Sequence, residues 1–168
     1  MSGNTLSSDA YERIKQDILE GRLASDTPYS ERTLAQRYDL SRTPLRSALA
    51  TLEREGVINR ITGGSAFVRS VSIEQFLEIV ELRHSLESEG AALAAQNGMT
   101  GDLEKIRLAI KAYDTDEVIS FDNFWTDDTL FHTSVLCAAG LPMIGQLVAE
   151  LRDTARRCTI VQRYENFT

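Results

Sequence analysis

The arginines near the start of this sequence are the residues whose type and spacing could do chemistry. Nine of the ten basic side chains in residues 1–70 are arginine. The planar guanidinium group suits bidentate contacts with a phosphate or with a guanine base. Arg42 and Arg46 lie four residues apart, so they share one face if they lie on a helix. Counts alone leave open the alternative that these arginines are ordinary solvated surface residues.

The charge of the chain is divided unevenly along its length. The 168 residues carry a formal net charge of −7, and 42% of them are hydrophobic, which is an ordinary globular composition. Taken whole, the acidic balance argues against a nucleic-acid binder. Residues 1–70 hold ten basic and nine acidic side chains, whereas residues 71–168 hold eight and sixteen, giving net charges of +1 and −8. The acidic balance therefore belongs to the second half, and the first half can approach an anionic partner.

Several classes of protein are excluded as interpretations of the sequence. No apolar run approaches the roughly 20 residues that a membrane-spanning helix needs. The polar segment Met1–Ala10 lacks the basic and apolar regions of a secretory signal. Cys137 and Cys158 are too few and too far apart for a disulfide framework, which suits a reducing compartment. We therefore expect a cytoplasmic protein with no membrane partner.

The first half of the chain predicts three helices. The first spans about Asp9 to Glu20 and ends at Gly21. Ser30 is an N-cap residue that opens a short helix ending near Tyr38, and Ser41 opens the next helix, which Gly56 closes. Pro44 lies in the first turn of that helix, where a missing N–H is tolerated. The apolar residues of the third helix recur at spacings of three and four and form an inward stripe: Leu45, Ala48, Leu49 and Leu52.

A glycine-centred hairpin follows these helices and completes a winged helix-turn-helix pattern. Two short strands are predicted on either side of Gly63 and Gly64. In such a motif the second helix of the pair lies in the major groove, and its first residues meet the base edges. The residues so placed are Ser41, Arg42, Thr43 and Arg46, and Arg32 opens the preceding helix beside the same edge.

Residues 30–60 resemble the DNA-binding domain of the GntR-type bacterial transcription regulators. The shared pattern is S-E-x-x-L-A, then S-R-x-P-x-R, then A-L-x-x-L-x-x-E-G. The resemblance implies that Arg32, Arg42 and Arg46 contact operator bases and nearby phosphates, and that Thr43 contacts backbone or a base edge. The wing glycines, Gly63 and Gly64, would enter the minor groove. The family usually has G-x-G-x-F-V in the wing, whereas Ser65 replaces the second glycine here.

The second half of the chain predicts only helices. A Ser72-x-x-Gln75 capping box opens a long helix that ends at Gly98. The packing face predicted for this helix comprises Ile73, Phe76, Leu77, Val80 and the alanine-rich stretch Ala91–Ala95. Three further helices are predicted over about 102–113, 116–139 and 143–162, and no strand pattern occurs after Val71. The fold class is therefore mainly α, with a winged helix-turn-helix domain over residues 1–70 and an all-α antiparallel bundle over residues 71–168.

The order of motifs in this half resembles the sensor domain of the FadR subfamily of GntR regulators. Those motifs are R-x-x-L-E at Arg83 to Glu87, D-x-x-F-H at Asp128 to His132, and a C-A-A-G-L-P turn. The resemblance implies a small carboxylate effector held by Arg83 and a divalent metal held by Asp128 and His132. Two residues four apart share a helix face, and imidazole with carboxylate suits Zn, Ni or Mn. Glu87 could instead pair with Arg83, and Asp128 with His132, as ordinary ion pairs.

The predicted metal site lacks some of the ligands that the resemblance implies. The family takes two more histidines from later helices, so we expect both the sensor domain and the metal site to be incomplete at Thr168. Either the chain is a shortened form of a longer regulator or its sensor is degenerate. The other histidine in the sequence, His84, points about 100° away from Arg83 around the helix.

Together these patterns predict a transcription regulator that responds to a ligand and binds a palindromic operator as a homodimer. No catalytic residues are predicted. Two alternatives are a metal-dependent hydrolase using Asp128 and His132, and an interaction protein without DNA binding. The hydrolase is disfavoured because no nucleophile and base accompany the two metal-binding side chains.

Overall fold

The structure, a computed structural model, describes residues 2–61, 64–98, 100–111, 113 and 121–165. Helices and three short strands make up its regular structure, which confirms the mainly α fold with a small sheet. In chain order the elements are α1 (Ser2–Leu19), β1 (Tyr29–Ser30), α2 (Glu31–Tyr38), α3 (Arg42–Arg54), β2 (Ile58–Ile61), β3 (Ser65–Val68), α4 (Ile73–Asn97), α5 (Gly101–Lys111), α6 (Phe121–Ala138) and α7 (Pro142–Glu165).

Contacts between residues divide the chain into two units. Unit 1 holds the residues up to Ile73 together with those from Thr154 onward, and unit 2 holds Glu74–Asp153. Arg157 ties the later segment into unit 1, because its Nη1 donates to the carbonyl oxygens of Arg69 at 3.2 Å and Val57 at 3.4 Å. None of the helices in the described part of the chain has the length and apolar character needed to cross a bilayer.

The core of unit 1 confirms the apolar stripes predicted from the sequence. Helix α1 begins seven residues earlier than the prediction, which started at Asp9. No side chain from Leu6 to Asp9 is buried, so this part of the helix carries no apolar periodicity to detect. The core residues come from α1, α2, α3 and the sheet: Ala10, Ile14, Ile18, Leu23, Leu34, Tyr38, Leu45, Ala48, Leu49, Leu52, Ile58, Ala66 and Val68.

The turn between α2 and α3 sets the position of the third helix. Ser30 caps α2, since its hydroxyl oxygen accepts a hydrogen bond from the Thr33 N–H at 3.0 Å. Asp39 ends α2 in the left-handed conformation, with φ of 53°, which an aspartate tolerates better than most residues. Ser41 is the residue before α3, but its side chain makes no capping hydrogen bond. The hydroxyl of Ser41 is thus not used to hold the helix terminus.

The predicted hairpin is part of a three-stranded antiparallel sheet with the order β1-β3-β2. Strand β2 pairs with β3 from Ile58 opposite Val68 to Ile61 opposite Ser65. Strand β1 adds only two pairs to the other edge, Tyr29 with Ala66 and Ser30 with Ser65. A strand of two residues is too short to show an alternating pattern, so β1 cannot be predicted from hydrophobic periodicity.

Helix α4 packs differently from the prediction. Ile73, Leu77 and Val80 were expected to form its packing face, but they are 57%, 56% and 39% exposed. The buried residues of α4 are Gly90 and Ala94, near its C-terminal end. A side chain at Gly90 would collide with Leu136 of α6. Leu136 of α6 therefore packs against α4 where α4 has no side chain, and the apolar residues nearer the start of α4 are exposed.

Candidate DNA-binding surface and effector site

The predicted DNA-contacting side chains of unit 1 lie at the N-terminal end of α3 and beside it. Ser41, Arg42, Thr43 and Arg46 are all exposed, and so is Arg32 in the first turn of α2. The opposite face of α3 is buried, with Leu45, Leu49 and Leu52 no more than 1% exposed. Among the described residues neither Arg32 nor Arg42 has an ion-pair partner. Their guanidinium groups are therefore available to an external anion or base.

Arg46 is held by Glu31, the first residue of α2. The Nε of Arg46 donates to Oε2 of Glu31 at 2.8 Å, and Nη2 of Arg60 donates to Oε1 at 2.9 Å. The hydrogen bond from Arg46 holds the pKa of Glu31 below its ordinary value, and Arg60 acts in the same direction. Glu31 is therefore an ionised carboxylate that joins α3 to β2.

The wing turn is attached to the same residue. The N–H of Glu31 donates to the carbonyl oxygen of Gly64 at 3.0 Å. Gly64 has φ of 82°, in the region that favours glycine. Gly63, the other predicted wing contact, lies outside the described residues.

The predicted effector residues of unit 2 belong to one cluster of charged side chains. Arg83 and Glu87 lie on α4, with Arg83 Nε donating to Glu87 Oε1 at 2.8 Å. The Nδ1 of His132 contacts Glu87 Oε2, and its Nε2 is 3.4 Å from Asp128 Oδ1. Arg152 of α7 contacts Asp128 Oδ2 through Nη2. The structure thus brings Arg83, Asp128 and His132 together and adds Arg152 to them.

Arg152 is the most deeply buried charge of this cluster. Arg152 is 1% exposed, and its Nε donates to the Thr129 hydroxyl at 3.2 Å. Its guanidinium carbon lies 5.2 Å from the centre of the Trp125 ring. Burial lowers the pKa of Arg152 to about 10, and the positive charge of Arg83 acts in the same direction. The group remains charged at neutral pH, and it is compensated by Asp128 in direct contact and by the nearby carboxylates of Glu87 and Asp153.

His132 is uncharged at neutral pH, because burial lowers its pKa from the ordinary value of 6.5 more than Glu87 raises it. Its Nδ1 faces a carboxylate and therefore carries the proton, which leaves a lone pair on Nε2 facing Asp128 Oδ1. Two ligands of one tetrahedral ion, each about 2.1 Å from it, lie about 3.4 Å apart. The spacing of this nitrogen and oxygen therefore fits two ligands of a divalent ion.

The rest of a metal site is not supplied by the residues that the structure describes. No group of three or more histidine, cysteine, aspartate or glutamate side chains is suitably placed among them. Glu87 occupies the position of a carboxylate that orients a metal-bound histidine through its other nitrogen. Asp128 and His132 therefore offer two adjacent ligand atoms, and Glu87 contacts the other nitrogen of the histidine.

A cleft of about 280 Å³ lies between α4 and α6 beside this cluster. Glu87 and His132 line it, together with Phe131 and the exposed His84. Arg83 is not part of the cleft lining, and its Nε is occupied by Glu87, as the ion-pair alternative expected. A small anion in this cleft would face His132 and His84 first.

Two residues of these sites were missed as functional candidates. Sequence reasoning gives Glu31 no role beyond its place in the S-E-x-x-L-A pattern. Arg152 lies on a buried stripe of α7 with Val148 and Ala155, which are 0% and 1% exposed. The spacing of four residues from Val148 to Arg152 and of three from Arg152 to Ala155 is typical of one helix face, so it indicates a charged residue within an apolar stripe.

Two family descriptions match this chain. Residues 6–68 match the bacterial regulatory proteins of the gntR family, and residues 78–167 match the FCD domain. The first match contains α2, α3 and the wing, and the second contains the charged cluster of unit 2.

Curated relatives span most of the chain. It is 30% identical over 173 residues to the gluconate operon transcriptional repressor of Bacillus subtilis, covering 95% of this chain and 68% of that protein. It is 30% identical over 159 residues to the transcriptional repressor GlaR of Escherichia coli, covering 90% of this chain and 71% of that protein.

Solved structures with the same fold include McbR/YncC of Escherichia coli. The TM-score is 0.73 at 21% identity, covering 95% of this chain and 76% of that one. A GntR regulator from a Rhodococcus species gives a TM-score of 0.66 at 23% identity, covering 92% and 74%. At these identities the likeness concerns the fold.

Proposed function

Because the chain belongs to the GntR family of bacterial regulatory proteins and carries an FCD domain, we propose that it represses transcription from a palindromic operator as a homodimer. The chain is a DNA-binding transcription regulator and not an enzyme, so the alternative of a hydrolase using Asp128 and His132 is wrong. Membership of the GntR family also disfavours the alternative of an interaction protein without DNA binding, because the matched residues 6–68 contain the helix-turn-helix and the wing. We also propose that the protein is cytoplasmic, because the operator of such a regulator would lie on the bacterial chromosome.

The observation that carries the DNA-binding proposal is the exposed N-terminal end of α3. Arg42 and Arg46 recognise base edges in the major groove, while Ser41 and Thr43 contact backbone or a base edge. Arg32 binds a nearby phosphate, and the wing at Gly63 and Gly64 enters the adjacent minor groove. The buried face of α3 packs on α1, so the helix is presented to DNA as a rigid element.

The symmetry of the operator tests the dimer. Duplexes enriched from a randomised pool by the wild-type chain are expected to be palindromic, because a two-fold dimer places two α3 helices on two equivalent half-sites. Each half-site is expected to contain a guanine for the arginines of α3. Sedimentation of the protein with the enriched duplex is expected to give two chains per duplex. An asymmetric consensus bound by one chain would contradict the dimer.

The effector that we propose is a small carboxylate bound in unit 2. Arg83 and Arg152 supply two positive charges, and Glu87 and Asp128 already balance them. An incoming carboxylate that replaces one of these acids on a guanidinium releases the displaced side chain and alters the contacts between α4, α6 and α7. The ligand then favours one arrangement of the two DNA-binding units of the dimer over another.

A divalent ion is part of this proposal. Asp128 and His132 would hold it, and when bound it would supply a positive charge that attracts the carboxylate. Added Zn²⁺, Ni²⁺ or Mn²⁺ is expected to raise the melting temperature of the metal-stripped chain. The increase should shrink from about pH 7.5 to about pH 5.5, because protons compete with the ion for Nε2 of His132.

Matched variants identify the ligands of this ion. His132→Gln and Asp128→Asn are each expected to abolish the increase in melting temperature. His84→Gln is the control, since His84 lines the same cleft and is not paired with Asp128. An increase that survives His132→Gln, or a metal analysis that finds no bound ion in the wild-type chain, would contradict the assignment.

A further inference from the structure

Glu31 contacts three parts of the DNA-binding surface at once. Its carboxylate accepts a hydrogen bond from Arg46 on α3 at 2.8 Å and another from Arg60 on β2 at 2.9 Å. Its backbone N–H donates to Gly64 in the wing turn at 3.0 Å. The Glu31 side chain is only 14% exposed, although it lies among exposed groups. A single residue therefore links the recognition helix, a strand of the wing and the wing turn.

The contact with Glu31 determines which part of Arg46 is available to DNA. Glu31 takes the Nε of Arg46, whereas the Arg46 side chain as a whole is 59% exposed. The remaining donors on Nη1 and Nη2 are the pair that can meet O6 and N7 of a guanine end-on. An arginine without such a partner samples many rotamers and loses more entropy when it binds a base.

An ordinary surface ion pair would contribute little here, with a typical value near zero to 1 kcal/mol. Two features separate Glu31 from that case. The carboxylate accepts charge-assisted bonds from two arginines of different elements, and most of it is shielded from solvent. It also brings a negative charge to a surface that must approach phosphates, which disfavours binding to DNA of any sequence.

We propose that Glu31 is a positioning residue for sequence recognition, which presents Arg46 end-on to a guanine. This inference rests on the proposed function, in which the N-terminal end of α3 enters the major groove. Glu31 acts through Arg46 and does not itself contact DNA. It raises the ratio of specific to non-specific binding by strengthening the first and weakening the second.

The test uses Glu31→Gln in the full chain and two duplexes, one enriched by the wild-type protein and one scrambled. Glutamine keeps the shape but loses the charge that holds both arginines. Affinity for the enriched duplex is expected to fall about 10-fold, with relaxed preference at one guanine per half-site. Affinity for the scrambled duplex is expected to stay the same or rise, because a negative charge near the phosphates is gone. Loss of folding would lower both affinities.

Two further variants separate the role of Glu31 from other causes. In an Arg46→Ala background, Glu31→Gln is expected to cause no further loss of specificity, measured at low salt where weak binding is detectable. Glu53→Gln is the matched control, since Glu53 is a more exposed and more distant partner of Arg60 at 3.9 Å. It removes the same charge and is expected to leave specificity unchanged.

The outcomes distinguish this inference from the proposed function. An equal loss of affinity for both duplexes in a variant that keeps the wild-type melting temperature, or a loss of specificity that persists without Arg46, would overturn the role given to Glu31. If Arg46→Ala and Arg42→Ala both bind the enriched duplex as the wild type does, the placement of α3 in the groove fails instead. If Arg46→Ala and Arg42→Ala lose affinity as expected while Glu31→Gln keeps the wild-type affinity and specificity, only the positioning role is overturned.

Discussion

Replacing Arg42 with alanine is expected to lower affinity for the operator at least about 30-fold. A bidentate arginine–guanine contact is worth about 1–3 kcal/mol, and a dimer loses it in both half-sites. Arg42 is exposed in the first turn of α3, and in the described part of the chain it has no ion-pair partner. The variant should also lose its preference for one base in each half-site. Binding isotherms on the enriched duplex and on its single-base variants measure both effects.

The control for this experiment is Arg54→Ala. Arg54 is an exposed arginine in the last turn of the same helix, about 18 Å along its axis from Arg42. Both variants remove one positive charge, so an effect of net charge would be similar in each. Arg54→Ala is expected to change affinity only slightly. If it costs as much as Arg42→Ala, or if Arg42→Ala leaves affinity and specificity intact, the assignment of Arg42 to a base is wrong.

Salt dependence gives an independent check on the same surface. The logarithm of the binding constant should fall linearly with the logarithm of salt concentration, with a slope near −0.9 per phosphate neutralised. A variant that loses a phosphate contact should reduce that slope by about 1 per half-site, whereas the loss of a base contact should leave it nearly unchanged. Arg32→Ala is expected to behave in the first way and Arg42→Ala in the second.

Replacing Asp128 with alanine is expected to destabilise unit 2 by about 3 kcal/mol in the absence of metal. The change removes the carboxylate that contacts the buried guanidinium of Arg152, and losing the direct partner of a buried charge costs several kcal/mol even though Glu87 and Asp153 remain nearby. The value is at the lower end of the usual range because the Asp128 side chain is 28% exposed. The single tryptophan of the chain, Trp125, lies beside Arg152, so its fluorescence in a urea titration reports the unfolding of this region.

A second substitution shows whether the buried charge is the cause. The double variant Asp128→Ala with Arg152→Met removes both charges and keeps an apolar chain in the buried position, so it is expected to be more stable than Asp128→Ala alone. Glu104→Ala serves as a control, because it removes a carboxylate from an exposed pair with Arg107 and should not change the urea midpoint measurably. A double variant no more stable than Asp128→Ala would show that the Asp128 side chain stabilises the bundle by another route.

The cluster in unit 2 combines stability with ligand binding. Asp128 compensates Arg152 through one oxygen and faces Nε2 of His132 with the other. A metal ion or a carboxylate that binds here must compete with these existing interactions. The side chains proposed to sense the effector are therefore also the ones that fix α6 against α4 and α7, which gives ligand binding a direct effect on the packing of the bundle.

The sequence alone predicted the features that depend on local spacing. The stripe of Leu45, Ala48, Leu49 and Leu52 determines which face of α3 is buried, so the exposure of Arg42 and Arg46 followed from it. The left-handed glycines Gly21, Gly56, Gly98 and Gly140 lie where elements were predicted to end. Helix periodicity and helix caps involve residues three or four positions apart, and such neighbours are in contact whatever the tertiary fold.

What only the tertiary structure decided were the partners across elements. Glu31 meets Arg46 and Arg60 from 15 and 29 positions away, and Arg152 meets Asp128 from 24 positions away. Likewise, the apolar residues at the start of α4 looked like core, yet α6 packs against Gly90 instead. Such contacts depend on how helices cross and on which side chains leave room for close approach, and this geometry is set by the packing of whole elements. The sequence by itself identified the DNA-binding head and its arginines, and the folded chain determined that Glu31 holds one of them, Arg46, in place.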